Sequence, residues 1–233
     1  MNPRTMGKAR LVHERVYQVG GSSISDSRDC MVYLVVSKDM DLVLIDCGAG
    51  PGLEAIIRTM DATDLDPKWI RLLVLTHGHI DHIGAAAELV KAYGCKVVAH
   101  EGDLDAIEGR NMGRTAADWY SMEYHPVKVD DIIKGEETSR TVGDLELHFL
   151  HTPGHTPGSM VVYVDIGGKR ILFGQDIHGP FDVSFGSDIE QWKISMGKLL
   201  ALKADILCEG HYGIYRGRDS IAEFIQGFLD GAR

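Results

Sequence analysis

The sequence predicts an α/β or α+β sandwich rather than a purely parallel sheet, on three observations. Apolar runs of strand length recur from end to end, several follow one another in meander order across short turns, and helical patterns are interleaved between them. A chain of 233 residues with 44% hydrophobic content and only 7 prolines can bury one substantial core, so a single domain over residues 1–233 is expected.

The runs VYQVGG (Val16 to Gly21), MVYLVVS (Met31 to Ser37) and DLVLIDCG (Asp41 to Gly48) have strand character, and the polar turn KDMD joins the last two. GPGLEAIIRTM, Gly50 to Met60, spaces its apolar residues as a helix does. DLDPKW breaks that pattern before IRLLVLT, Ile70 to Thr76, resumes as a buried strand. DHIGAAAELVKAY, Asp81 to Tyr93, has the Ala and Leu content of a helix, with an acidic start and Gly94 at its end. Strand KVVAH and a helical segment from Glu101 follow.

Residues 109–141 are polar, irregular and dotted with aromatics, an insertion that is a candidate cover for a site. LELHFLHTPGH returns to strand character, and SMVVYVDIGGKRILFGQD is a hairpin turning at Gly167-Gly168. A helix around Ile189 to Lys203, the strand ADILCEG and a helix from about Arg218 to Leu229 complete the pattern.

A formal charge of −10, with 24 basic residues scattered among 34 acidic ones, argues against nucleic acid and anionic membrane surfaces as partners. A small-molecule substrate is expected instead, with self-association left open. No apolar run approaches the length of a membrane span, and MNPRTMGKAR leads into HERVYQV rather than into the apolar stretch of a leader. Cys30, Cys47, Cys95 and Cys208 lack metal-binding spacing and sit mostly in strand-like runs, as buried reduced thiols of a cytoplasmic protein would.

The chemistry is concentrated in THGHIDHIG, Thr76 to Gly84, which places three imidazoles and a carboxylate between His77 and His82. Further candidates are His155 in HTPGHTPGS, Asp176 in FGQDIHG and His211 in CEGHYG. Each follows an apolar strand-like run, and loops leaving strand ends on one side of a sheet converge. The flanking glycines at 78, 84, 154, 174, 210 and 213 permit sharp turns that aim side chains inward. Five imidazoles and two carboxylates exceed what one four-coordinate cation uses and suffice for two. His13, His100, His125, His148 and His151 are expected to be structural or surface groups.

The series His77, His79, Asp81, His82, His155, Asp176 and His211 resembles the metallo-β-lactamase superfamily, from DLVLIDCG to the last strand. The resemblance implies a four-layer αβ/βα sandwich with the site along one edge of two facing sheets. It also implies His77, His79 and His155 around one metal ion, Asp81, His82 and His211 around another, and Asp176 between them. Asp46 resembles the family's buttressing aspartate. Two divalent cations are expected, zinc first and iron as the other candidate, activating a bridging hydroxide for attack on a thioester, lactone, phosphoester or β-lactam. Asp81 would also orient the hydroxide and move a proton; Tyr212 and His178 are candidate hydrogen-bond donors to substrate.

Within the family, the hydroxyacylglutathione hydrolases are the nearest resemblance, but only a short stretch follows His211, so a full glutathione-binding extension is not expected. Lactonases of the quorum-quenching type have a tyrosine where this chain has Gly179. The alternative function is that of persulfide dioxygenases, whose single iron would use His77, His155 and Asp176.

Overall fold

The computed structural model describes residues 8–232. The N-terminal MNPRTMG, expected not to be a leader, lies outside them. The strands β1 (Arg10–His13), β2 (Val16–Gln18), β3 (Tyr33–Val36), β4 (Leu42–Ile45), β5 (Ile70–Val74), β6 (Lys96–His100) and β7 (Asp131–Ile133) form a seven-stranded sheet in sequence order. The four from β4 to β7 run parallel and the first four antiparallel. A second sheet takes the order β13-β12-β11-β10-β9-β8, from β8 (Glu137–Val142), β9 (Leu145–His151), β10 (Met160–Ile166), β11 (Lys169–Gln175), β12 (Ile206–Glu209) and β13 (Ile214–Arg216).

Strand alternation builds the layers. In β3, Tyr33 and Val35 face the second sheet while Leu34 and Val36 face outward; in β10, Val162 and Val164 face inward and Val161 and Tyr163 outward. Helices α1 (Leu53–Asp61), α2 (Ile80–Ile83) and α3 (Ala86–Tyr93) cover the outer face of the first sheet, and α4 (Leu104–Ile107) follows β6. Helices α5 (Ile189–Leu202) and α6 (Arg218–Gly231) cover the second sheet, with Trp192, Met196, Ile221 and Ile225 buried on it. Both faces of each central strand are therefore dry, which is why the strands read as continuous apolar runs rather than as alternation. The result is the expected mixed αβ/βα sandwich. Among the described residues no helix is long and apolar enough to cross a membrane.

Two expectations change. The helix from Asp81 to Tyr93 is two helices, interrupted at Gly84 and Ala85, and Gly84 packs so close to Ala49 that a Cβ would lie 2.1 Å from its carbonyl oxygen. The irregular stretch expected over residues 109–141 ends near residue 130, since β7 and most of β8 fall inside it; both are edge strands, and ETSRTV in β8 is too polar to signal one. The short edge strands β1 and β13 carry equally little apolar signal.

Every candidate side chain sits at one edge of the sandwich. The parallel strands β4, β5 and β6 end there at Asp46, His77 and Asp103, and the second sheet contributes the β9–β10 loop and the ends of β11 and β12. Backbone hydrogen bonds lock the loops together, among them Met31 N to the Gly210 carbonyl at 2.7 Å and Met160 N to the Thr76 carbonyl at 3.0 Å.

Candidate metal centre

All seven predicted side chains meet. In one group, His77 Nε2 lies 3.1 Å and His155 Nε2 2.9 Å from His79 Nδ1, and Asp176 Oδ2 is 3.6 Å from His155 Nε2. In the adjoining group, Asp176 Oδ1 lies 3.1 Å from both His82 Nε2 and His211 Nε2, while Asp81 Oδ2 is 3.5 Å and 3.2 Å from the same two nitrogens. Asp176 is shared, one oxygen in each group. Donor atoms of each group fall within 4.8 Å of one another and could hold a metal ion.

The spacing also suits ligands gathered around a cation. Metal–nitrogen bonds of 2.0–2.1 Å set tetrahedrally put ligand atoms about 3.3 Å apart. His82 Nε2 and Asp176 Oδ1, both facing the second group, are buried without a hydrogen-bond partner, a costly state for polar atoms unless something else satisfies them. Burial, reinforced by the neighbouring imidazoles, drives the basicity of His77 down, that of His79 to about 3 and that of His155 to about 4, leaving neutral rings with lone pairs. Burial opposes a proton on His211, yet Asp176 and Asp81 push it up to about 10; a cation among those carboxylates would take the proton's place. Burial also works against charge on Asp81, but His82 and His211 hold its carboxyl below the usual range.

A surrounding set of side chains aims these groups. Asp46 Oδ2 lies 2.8 Å from His82 Nδ1, fixing that ring with Nε2 toward Asp176, and the same carboxylate accepts the amide and hydroxyl of Thr76 at 2.8 Å each. His155 Nδ1 meets the Pro180 carbonyl at 2.8 Å. Asp46 (φ 60°) and Gln175 (φ 47°) hold left-handed backbone at the ends of their strands, a strained conformation for non-glycine residues that re-aims the chain toward the site. At Gly210 a Cβ would stand 2.6 Å from Asp176 Oδ1, so close approach explains this glycine, whereas Gly154 and Gly213 do adopt positive φ.

Asp81 lies in the single-turn helix α2, too short to offer much of a macrodipole; neighbouring imidazoles hold its charge instead. His178 and Tyr212 belong to neither group. His178 Nδ1 is 2.9 Å from the buried Glu209 carboxylate, which also accepts the amides of His211 and Tyr212, and the two rings pack 4.7 Å apart. Cys30 is buried beside Asp46 and His82, its thiol pushed up to about 12 by burial, so it stays protonated; all four cysteines are buried and free.

Sequence reasoning missed two contributors. Buried Asp103 accepts hydrogen bonds from Gly78 N at 2.9 Å, Thr156 Oγ1 at 2.6 Å and Gly158 N at 2.8 Å, tying the His77–His79 loop to the His155 loop. It follows strand KVVAH just as the metal-site residues follow theirs, so the same criterion would have found it. For Tyr120, from the irregular stretch, burial and the charge of nearby Asp81 raise the pKa so that it keeps its proton. No local signal marks it.

A two-sheet sandwich with paired His/Asp groups at one edge defines a class of metal-binding proteins. The sequence profile of the Metallo-beta-lactamase superfamily matches residues 26–211, and the chain belongs to that superfamily. It is 30% identical over 178 residues to "Probable metallo-hydrolase YybB" of Bacillus subtilis (strain 168), covering 73% of this chain and 76% of that protein. "Probable metallo-hydrolase YflN" of the same organism is 25% identical over 204 residues, covering 75% and 76%. The fold is shared with BJP-1, a subclass B3 metallo-beta-lactamase of Bradyrhizobium japonicum, at a TM-score of 0.80 and 21% identity over 98% of this chain and 94% of that one.

Proposed function

We propose that the protein is a dinuclear metal-dependent hydrolase acting on an ester-like bond of a small molecule. The observation that carries this reading is the division of Asp176, with Oδ2 toward His155 and Oδ1 toward His82 and His211. A carboxylate so placed can bridge two cations and offset part of their charge. His77, His79 and His155 would hold one, Asp81, His82 and His211 the other. The similarity to proteins named as metallo-hydrolases supports the reaction class.

When bound, the cation pair would lower the pKa of a water toward neutrality and polarise the substrate oxygen. The chain's own residues divide the remaining work. Asp81, kept ionised, accepts the proton released by the attacking water and returns it to the departing oxygen or sulfur. Tyr120 keeps a phenolic hydrogen beside Asp81 and is placed to donate to the developing oxyanion. Asp46 and Asp103 fix the histidine loops so that no reorganisation is required during reaction. His178 is positioned by Glu209 next to His211, on the half-open side of the site.

The test is a panel of thioester, lactone, phosphodiester and β-lactam substrates with zinc-loaded protein and a His79→Ala control. The expected result is hydrolysis of at least one class, reduced by about 10²–10³ in the variant, as for loss of transition-state charge stabilisation. Turnover insensitive to His79, or none with any class, contradicts the proposal.

A further inference from the structure

We propose that the mouth of the site binds a neutral hydrocarbon chain or ring of the substrate against Trp119, so that the substrate class is an ester-like compound with an apolar acyl or alkyl group. The bond that is cut rests on the hydrolase reading above; the apolar group rests on different observations.

Trp119 is 59% exposed, a large indole left in solvent. It is the outer end of a column of rings: its centroid is 4.7 Å from that of Phe185, and Phe185 is 4.6 Å edge-on from His79. The indole is therefore connected through one buried ring to a predicted metal ligand. Its neighbour Tyr120 is near enough to Asp81, in the other group, to feel that charge. The turns Met112–Thr115 and Val183–Phe185 pack together beside it and add exposed Met112 and, at 91% exposure, Val183.

The charges beside Trp119 disfavour an anionic group there. Across residues 101–120 and 177–188 the only lysine or arginine side chains are Arg110 and Arg114. Arg110 is tied to Glu108 at 3.0 Å and Arg114 to Asp105 at 3.2 Å. A phosphate or carboxylate beside Trp119 would meet only arginines already paired with carboxylates, on a chain whose net charge is −10. A small, wholly polar substrate would leave the indole and Val183 in water. A hydrocarbon group covers them and gains the transfer free energy of both surfaces.

The experiment is calorimetric titration of zinc-loaded protein with straight-chain alkyl hydroxamates from acetyl to octanoyl, alongside hydrolysis of the matching esters. Binding is expected to tighten about twofold per methylene, below the about fourfold of complete burial because one side stays open to solvent. Trp119→Ala should flatten that series, whereas Leu11→Ala, which removes an equally exposed apolar side chain from edge strand β1, should leave its slope unchanged. One affinity for all lengths, or a slope that survives Trp119→Ala, overturns the inference. A length trend without hydrolysis of these esters supports the inference and leaves the hydrolase reading to the wider substrate panel; no binding at any length overturns the inference.

Discussion

The hydroxyl of Thr156 donates a 2.6 Å hydrogen bond to the carboxylate of Asp103, and through it the loop carrying His155 is fastened to the loop carrying His77 and His79. Asp103→Asn would turn an amide N–H toward a backbone donor. The expected cost is about 1–3 kcal/mol of stability and a roughly 10–100-fold loss of metal affinity. That loss should fall on the His77–His79–His155 group, with the Asp81–His82–His211 group less affected. Stepwise metal titration checks it; equal weakening of both steps contradicts the proposed role.

Gly84→Ala forces a methyl group into the backbone of Ala49, where neither partner is a flexible side chain. A loss of about 1–3 kcal/mol or more is expected, along with displacement of His79, Asp81 and His82 on the preceding turn. Thermal melting and metal content read both effects. A variant as stable and as metal-replete as the parent would contradict this packing.

The difference between what was legible and what was not follows from where each constraint arises. The seven residues of the paired groups stand in short motifs behind apolar strands, so local reading finds them, and dry strand faces announce the sandwich. The close approach of Gly84 to the Ala49 backbone involves a segment distant in sequence, and no pattern within DHIGAAAELV records it. Tyr120, Phe185 and Trp119 reach the site by tertiary packing of irregular segments. Strand β8 is held by pairing with β9 rather than by its own composition.

His100 stacks on His151 with ring centroids 3.7 Å apart, and burial followed by the neighbouring imidazole pushes its pKa down to about 4. The folded protein binds this proton less readily than the unfolded chain, whose histidine titrates near 6.5. Its contribution is fully present above pH 6.5 and is lost as the pH falls through about 4. Melting temperature should decline over that window, and His100→Gln, which keeps an acceptor for the Gly102 amide, should shrink the decline. An identical pH profile in the variant would contradict the assignment.

Tyr120→Phe removes the phenolic hydrogen beside Asp81 while keeping the ring. A fall in kcat of about 10²-fold is expected for loss of one oxyanion donor, with metal content unchanged. Unaltered kcat would leave Tyr120 as a packing residue only.

The most direct measurement is the metal stoichiometry of the protein purified without added metal, together with that of its Asp176→Ala variant. The account predicts two divalent ions per chain, bound in two steps, and a loss from both groups when the shared carboxylate is removed. One iron per chain with oxygen consumption on glutathione persulfide, or a second ion indifferent to Asp176, would contradict it.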